Sequence, residues 1–427
     1  MGNYSRIRTV VTDHLGLARS KYQPAARAKA TKHCMTMFGQ HFDKQMTPGA
    51  PGSDFFEGMP DVDAVWDPAE VRPGWDDGVG IVVCDLMRHG ELVAHAPRTV
   101  LKRAIEAWQQ LGFEPLIGVE FECYLLHKDI DGSLKPIDTP GAMTYGVGPF
   151  VDPSGVLDAV MERAEACELR LETVNSEYDA PQFEFTMVYD TALRAIDDAA
   201  LFKLLAQETA IKLGHHLTFM GKPFADLAGS GLHLNISFRH PNGRTAMNDP
   251  TLTHGLADVT RWSIGGMLAH HEAITAIGAP TVNAYKRLKP GQLAGFFANW
   301  GIDHRSAAIR IPFERDDACR IEHRVPDGAA NVYLTAAALL TAARLGYESQ
   351  IEPPDPETGD SLETANTDRV PPANLGEACT ALEADTVFAA ALGRAAVDNF
   401  IAIKRDEWAK FNNAVTDWER SYYMPFL

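Results

Sequence analysis

The sequence lacks the marks of several common protein classes. Its six cysteines (Cys34, Cys84, Cys123, Cys167, Cys319, Cys379) lie far apart with no CxxC pair. That spacing supports neither a zinc site nor a disulfide framework and reads as free thiols. No run approaches the roughly 18 apolar residues of a spanning helix. The start, MGNYSRIRTVVTDHLG, has no apolar core or cleavage pattern of a signal peptide, and Ser5 after Gly2 misses the myristoylation register. No GxxxxGK[ST] loop occurs, which excludes a P-loop enzyme, and there is no internal repeat. Positive charge is scarce: 39 Lys and Arg stand against 57 Asp and Glu, for a net charge of −18. Such a field opposes binding to nucleic acid or to an anionic membrane surface. The expectation is a cytoplasmic protein with no nucleic-acid or membrane partner.

What is present is an ordinary globular chain of 427 residues, 45% hydrophobic and 22% charged, long enough for two units. RIRTVVT (6–12) and IVVCDL (81–86) read as strands, with Gly-, Pro- and Asp-rich looped chain over 39–78. APRTVLKRAIEAWQQLG then reads as a helix, with Pro97 in its first turn and Gly112 as its stop. A boundary just before it divides the chain into 1–95 and 96–427. Beyond it, strands are expected at 115–126, 171–175, 182–188, 216–221, 231–238 and 308–312. Helices are expected at 154–168, 191–213, 250–276, 329–346 and 385–410, with an exposed loop over 351–376. Strands mixed with long helices in this way predict an α+β fold.

Four acidic motifs stand out. GVEFE puts Glu120 and Glu122 two apart in an apolar strand, hence on one face, where they repel unless a cation lies between them. An edge strand with a solvated acidic face accounts for that pair equally well. In NSEYDAPQFEF, Glu177 precedes a turn and Glu184 alternates with Phe183 and Phe185, pointing either to water or to a cation. In AGSGLHLNISF, glycines flank Ser230 and allow close backbone approach, and His233 opens an alternating strand; taken alone, such a histidine is more often structural. In RIEHR, Glu322 lies between Arg320 and Arg324, which by itself reads as a surface ladder. Carboxylates with one histidine suit hard divalent cations, Mg2+ or Mn2+.

Residues 286–324 carry eight Lys and Arg against five acids, a net positive stretch in a negative chain. Arg310 sits between two isoleucines, a setting in which arginine binds carboxylate or phosphate. Metal ligands plus arginines suit phosphoryl transfer.

Taken in order, GVEFE, EYDAPQFEF, GSGLHLNISF, NAYKRLKPG, HRSAAIRIP and RIEHRVPDGAANVYL resemble the glutamine synthetase family, from about residue 80 onward. The resemblance implies a small N-terminal β-grasp domain followed by a catalytic domain with a curved antiparallel sheet flanked by helices. It assigns Glu122, Glu177 and Glu184 to one metal, and Glu120, His233 and Glu322 to another. Arg287 and Arg324 would hold glutamate with help from the Gly229 backbone. Arg305, Arg310 and Arg320 would hold ATP phosphates and the transferring phosphoryl group, and Ser237 would contact the nucleotide. It further implies ATP as co-substrate, a glutamyl phosphate intermediate, and a homo-oligomer, a dodecamer of two stacked hexameric rings.

The departures bear on the acceptor. Ammonia-using members carry a flap glutamate in a PGYE-type motif, where this chain has PGQLAG with Leu293. Ala228 replaces an asparagine before GSG, Asn235 replaces a second histidine, the adenylylated tyrosine is replaced by TDRVPP, and no DGSS motif is found. Losing the flap acid weakens ammonium binding and suits an amine carrying carbon. The expected acceptor is therefore a small alkylamine such as methylamine. Ammonia, ethanolamine, a polyamine, or a non-catalytic protein on the same fold are the alternatives. Glu177, Asp179 and Asp303 are candidates to take the amine proton, and Tyr145 aligns with a residue lining the amine site.

Overall fold

The computed structural model describes residues 4–427. The chain begins with two small sheets. In the first, Arg6–Thr12 pairs antiparallel with Ala18–Pro24 and parallel with Val79–Val83, and Arg72–Pro73 forms its edge. The second runs Thr31–Cys34, Asp61–Val65, Asp85–Arg88, Glu91–Leu92. The looped stretch 39–78 thus contains two strands that its composition hides. The expected strand 81–86 is divided at Cys84. Its N–H still donates to Val10 O at 2.8 Å, after which Asp85 turns to pair with Val65 and its carboxylate is taken by Arg98 and Lys102.

The helix Pro97–Gln110 follows the second sheet, and Trp108 anchors it, with its ring nitrogen donating to Leu340 O at 2.8 Å. The main sheet has ten strands built around Glu114–Lys128, which pairs antiparallel with Gln182–Met187 on one side and Leu232–Arg239 on the other. The order continues through Ile321–His323 and Ile309–Ile311 to Trp300–Ile302. Alternation gives the sheet two unlike faces. Phe121, Cys123, Phe183, Phe185, Leu232 and Leu234 are fully buried. The helix Ala192–Lys212 packs there, with the Phe202 ring 5.9 Å from Phe121 and 5.1 Å from Phe185. Beyond it, Asp258–Ala269 crosses Val332–Glu348 at a glycine pair: a Cβ on Gly266 would lie 2.2 Å from Ala342 O, and one on Gly346 2.1 Å from Trp262 O. The α+β class and the small N-terminal sheet unit agree with expectation.

The short strands Trp300–Ile302 and Ile321–His323 are absent from the expectation, and the other differences lie among the helices and in the loop before the C-terminal ones. The helix expected over 250–276 starts at Asp258, because Pro250 and the Asn248–Leu256 bridge hold the preceding chain in a turn, and it breaks at His270. The one expected over 385–410 is broken at Gly393, whose φ of 118° no helix continues through. Leu375–Ala384 and Asp417–Tyr423 are helices that were not anticipated. The 351–376 loop is not simply exposed: Glu357 is buried and accepts from the N–H groups of Thr358, Gly359 and Asn366. Among the described residues no single helix is long and apolar enough to cross a membrane.

Asn331 joins the N-terminal unit to the core. Its Oδ1 caps Val332–Glu348, accepting from Tyr333 N at 3.1 Å and Leu334 N at 3.3 Å, while its Nδ2 donates to Asp13 O at 2.9 Å. Asn331→Ala is expected to cost about 2 kcal/mol, a lost cap plus one buried hydrogen bond to Asp13 O, which keeps Gly16 N as its other donor at 3.0 Å. Asn374→Ala, which removes only an exposed cap, should cost about 1 kcal/mol. Urea unfolding of both variants checks this, and equal losses would show that the Asp13 tether contributes nothing.

Candidate active site

The polar face of the main sheet carries the acids, and strand register brings them together. Glu184 is directly opposite Glu122, Thr186 opposite Glu120, and His233 opposite Glu120 on the other flank. Asn235 then faces Glu322, and Glu322 faces Arg310. Directly opposed residues project to the same side, with Cβ atoms about 5 Å apart. The donor atoms of Glu120, His233 and Glu322 lie within 4.8 Å of one another, and so do those of Glu122, Glu184 and His233. The first set is the one expected. The second differs from expectation: His233 belongs to both sets, and Glu177 stands outside the tight cluster. Glu177 comes from a turn rather than the sheet face, lining the cavity with its carboxylate held at 3.3 Å by Tyr178 N.

The electrostatics follow from the crowding. Burial, then repulsion from Glu120, Glu177 and Glu122, pushes the Glu184 carboxyl up to about 8. Burial and Glu122 raise Glu177 as well. Burial would raise Glu120 too, but hydrogen bonds from His233 and Asn235, with Arg324 nearby, hold it well below the usual range. Burial likewise opposes ionisation of Glu322, and Arg324, His233 and Arg310 overcome it. The His233 Nε2 atom is buried without a hydrogen-bond partner among the described residues, 3.7 Å from Glu122 Oε1. An unpartnered imidazole nitrogen among oxygen donors, with acids that resist ionising together, fits one or two divalent cations.

A cavity of ≈ 450 Å³ opens over this face. Besides the acids, its lining includes Tyr145, Gly229, Arg287, Arg305, Arg310, Arg320 and Arg324, so most of the expected site residues converge there. Arg310 spans from the exposed Asp303 to Glu322, 2.7 Å from its Oε2, and Arg324 also pairs with Glu322. Arg320 donates to Asn235 at 3.3 Å, and Arg305 is exposed. Arg287 is buried, with its guanidinium donating to Val325 O at 2.8 Å and Arg324 O at 3.2 Å. Ser237, two positions beyond Asn235 on the same strand face, lines an adjoining cavity of ≈ 370 Å³ that shares Glu120, Thr186, Glu314 and Arg320 with the first. Asp303 does not line the main cavity, and its carboxylate is engaged by Arg310.

Several residues escaped the sequence reading. Gln182 donates to Gly229 O at 2.8 Å and to Glu122 at 3.4 Å, and the Tyr124 hydroxyl donates to Ala228 O at 2.9 Å. With Asp179, which accepts from Ala228 N, they fix the glycine loop against the acids. The loop must be glycine: a Cβ on Gly229 would lie 2.6 Å from Arg287 Cγ, and one on Gly231 2.7 Å from His233 Nε2. Continuing the i+2 step along each acidic strand, from Glu122 to Tyr124 and from Glu184 back to Gln182, is the signal that finds the first two. Tyr178 and Leu293 line the same cavity and are largely exposed, as is Tyr145, at 80%, 60% and 72% respectively.

A family model described as glutamine synthetase, catalytic domain, matches residues 94–423. A glutamine synthetase of Thermotoga maritima is 34% identical over 371 residues, 84% of each chain. A glutamate–isopropylamine ligase from a Pseudomonas species is 29% identical over 441 residues, 100% of this chain and 96% of the other. The solved structure of apo GmaS without ligand superposes with a TM-score of 0.86 at 30% identity, covering 99% of this chain and 97% of that one.

The acid cluster makes a stability prediction for the metal-stripped protein. Unfolded, Glu184 titrates near its usual 4.5; folded, near 8. Between those values the unfolded chain loses its proton first, so this group's contribution falls as pH rises. From pH 6 to 8 in chelator, the wild type should lose on the order of 2 kcal/mol relative to Glu184→Gln. Magnesium should abolish most of that difference. Parallel denaturation midpoints for the two proteins at both pH values would contradict it.

Proposed function

The chain belongs to the glutamine synthetase family of ATP-dependent carbon–nitrogen ligases, and from that premise we propose that it joins a small alkylamine to the γ-carboxylate of glutamate. The observation that carries the acceptor assignment is the cavity rim, where Leu293, Tyr145 and Tyr178 offer apolar surface beside the acid cluster. Ammonium gains nothing from such a rim, while the carbon of an alkylamine is removed from water against it. The similarity to a glutamate–isopropylamine ligase supports the same class. The alternative, a glutamine synthetase using ammonia, is supported by the similarity to the T. maritima enzyme.

The reaction would run in two steps. A carboxylate oxygen of glutamate attacks the γ-phosphorus of ATP, forming the acyl phosphate and releasing ADP. The amine nitrogen then attacks the acyl carbon, phosphate leaves, and the amine gives up a proton. Arg287 and Arg324 with the Gly229 loop hold glutamate, Arg305, Arg310 and Arg320 neutralise the phosphates, and Ser237 lies on the nucleotide side. Glu120, His233 and Glu322, and Glu122, Glu184 and Glu177, would hold Mg2+ or Mn2+, which supplies charge neutralisation at the transferring phosphoryl group. Among the three carboxylates considered for the amine proton, Glu177 is favoured. It lines the cavity and its carboxyl is shifted upward, chiefly by burial, whereas Asp303 is tied to Arg310 and Asp179 to Ala228 N. The same reading divides the chain at about residue 95. It takes the protein to be a cytoplasmic homo-oligomer, a dodecamer of two stacked hexameric rings.

Phosphate release with ATP, magnesium and glutamate tests the acceptor. Methylamine or isopropylamine should exceed ammonium, ethanolamine and putrescine in kcat/KM by about tenfold or more, the worth of one or two buried carbons. Leu293→Glu should narrow that ratio. A wild-type preference for ammonium would sink the alkylamine reading.

A further inference from the structure

A second cavity, of ≈ 250 Å³, lies where the N-terminal sheets meet the helix Ala192–Lys212. Its walls are mostly apolar, with Leu15, Leu17 and Phe42 from one side and Leu204 and Phe219 from the other, and Thr12, Gln207 and Thr218 among them. Into this setting the helix brings one cation, Lys203. Its ammonium lies over the Phe219 ring, 5.2 Å from the centroid, and donates to Gly328 O at 2.7 Å. An ammonium has three donors, and among the described residues Gly328 O is its one hydrogen-bond acceptor, with no carboxylate in ion-pair reach. Burial lowers its pKa to about 8, with Asp327 the opposing charge. A half-buried cation whose spare donors face a mostly apolar cavity, with Asp327 near but not bonded to it, can take a carboxylate there. The lysine is not needed to fill space, and none of the ligase chemistry uses it.

The wall it touches is shared with the active site. Gly328 N donates to Ser230 O at 3.2 Å, Leu232 N donates to Pro326 O at 2.9 Å, and Gly231 bridges Asp327. On the same segment Val325 O accepts from Arg287. Residues 325–329 therefore carry the glycine loop and the buried arginine on one side and the Lys203 contact on the other. A Cβ on Gly221 would lie 2.2 Å from Asp327 Oδ2, so the segment has little room to move without disturbing the loop.

We propose that this cavity is an effector site for a small monocarboxylate with a short apolar chain, and that its occupancy changes the affinity of the active site for its acid substrate. The carboxylate takes the spare donors of Lys203, and the chain lies against Leu15, Leu17 and Leu204. The volume is below the roughly 300 Å³ at which pockets for drug-sized ligands begin, which limits the ligand to a handful of carbons. Mostly apolar walls and a single cation disfavour inorganic phosphate, which brings more charge and no apolar surface. The coupling runs through the 325–329 segment, whose two faces contact both sites, and coupling of this kind is typically worth fivefold or more in affinity.

Titration calorimetry on the full chain with butyrate, with inorganic phosphate as the comparison, tests the site without relying on the proposed reaction. The expected result is butyrate binding to the wild type, weakened at least tenfold both in Lys203→Met, which removes the cation, and in Ala200→Leu, which fills the cavity and keeps it. The KM for glutamate should then shift about fivefold with butyrate in the wild type and stay fixed in both variants. This second readout rests on glutamate being the acid substrate; the calorimetry does not. Absence of butyrate binding, equal binding by the wild type and either folded variant, or tighter binding of phosphate overturns the site. Binding that leaves the glutamate KM unchanged in an active enzyme overturns the coupling.

Discussion

The interaction on which the rest depends is the confrontation of Glu122 with Glu184 across two neighbouring strands. Like charges directly opposed in a ladder destabilise a sheet, and these two are accompanied by Glu120 and Glu322 on the same face. The sheet keeps this arrangement because its other face has no alternative. Phe121 and Phe185 pack on Phe202, and Phe183 is fully buried with them, each worth roughly 2–3 kcal/mol. A slip of one residue would send the aromatic rings to the cavity and the carboxylates into the core. Register held by apolar packing thus concentrates negative charge that only cations relieve.

Relief comes from two directions. Arg310 and Arg324 converge on Glu322, and Asn235 and His233 on Glu120, so these two acids stay ionised. On the other flank Glu184 has no such partner, and its carboxyl is driven upward. The buried imidazole nitrogen of His233 lies between the flanks. This division places an acid cluster suited to hard cations and arginines suited to phosphate within a single cavity. The glycine loop at 229–231 closes it from the side, since any side chain there would meet Arg287 or His233.

Much of this was legible in the chain. Alternation identified the strands of Glu120, Glu122, Glu184 and His233, though not that of Glu322, and the order of motifs identified the family, its ligase chemistry and most of the residues that line the cavity. What stayed hidden has physical causes. Glu177 lies in a turn, whose path no periodicity specifies, so its distance from Glu122 and Glu184 could not be read. Asp303 looked like a free loop acid until Arg310, seven positions later, turned out to hold it. Gln182 and Tyr124 are uncharged and unremarkable in sequence, and only their reach to the glycine loop shows their role. Helix ends at Asp258 and Gly393 were missed because hydrophobic periodicity runs through breaks made by a bridge and by one positive φ.

By itself the sequence supplied acids and a histidine at strand spacing and arginines in apolar settings, and the order of its motifs supplied the kind of chemistry. Residue type and local period set charge and the face on which a side chain emerges; the ordered motifs carried the rest. Only the tertiary structure decided which acids meet, that His233 lies within reach of both clusters, and that Lys203 faces a cavity at the edge of the N-terminal unit. Those are contacts between strands, turns and helices far apart in the chain. They depend on register and packing angle, which arise from the whole core and from no local stretch of residues.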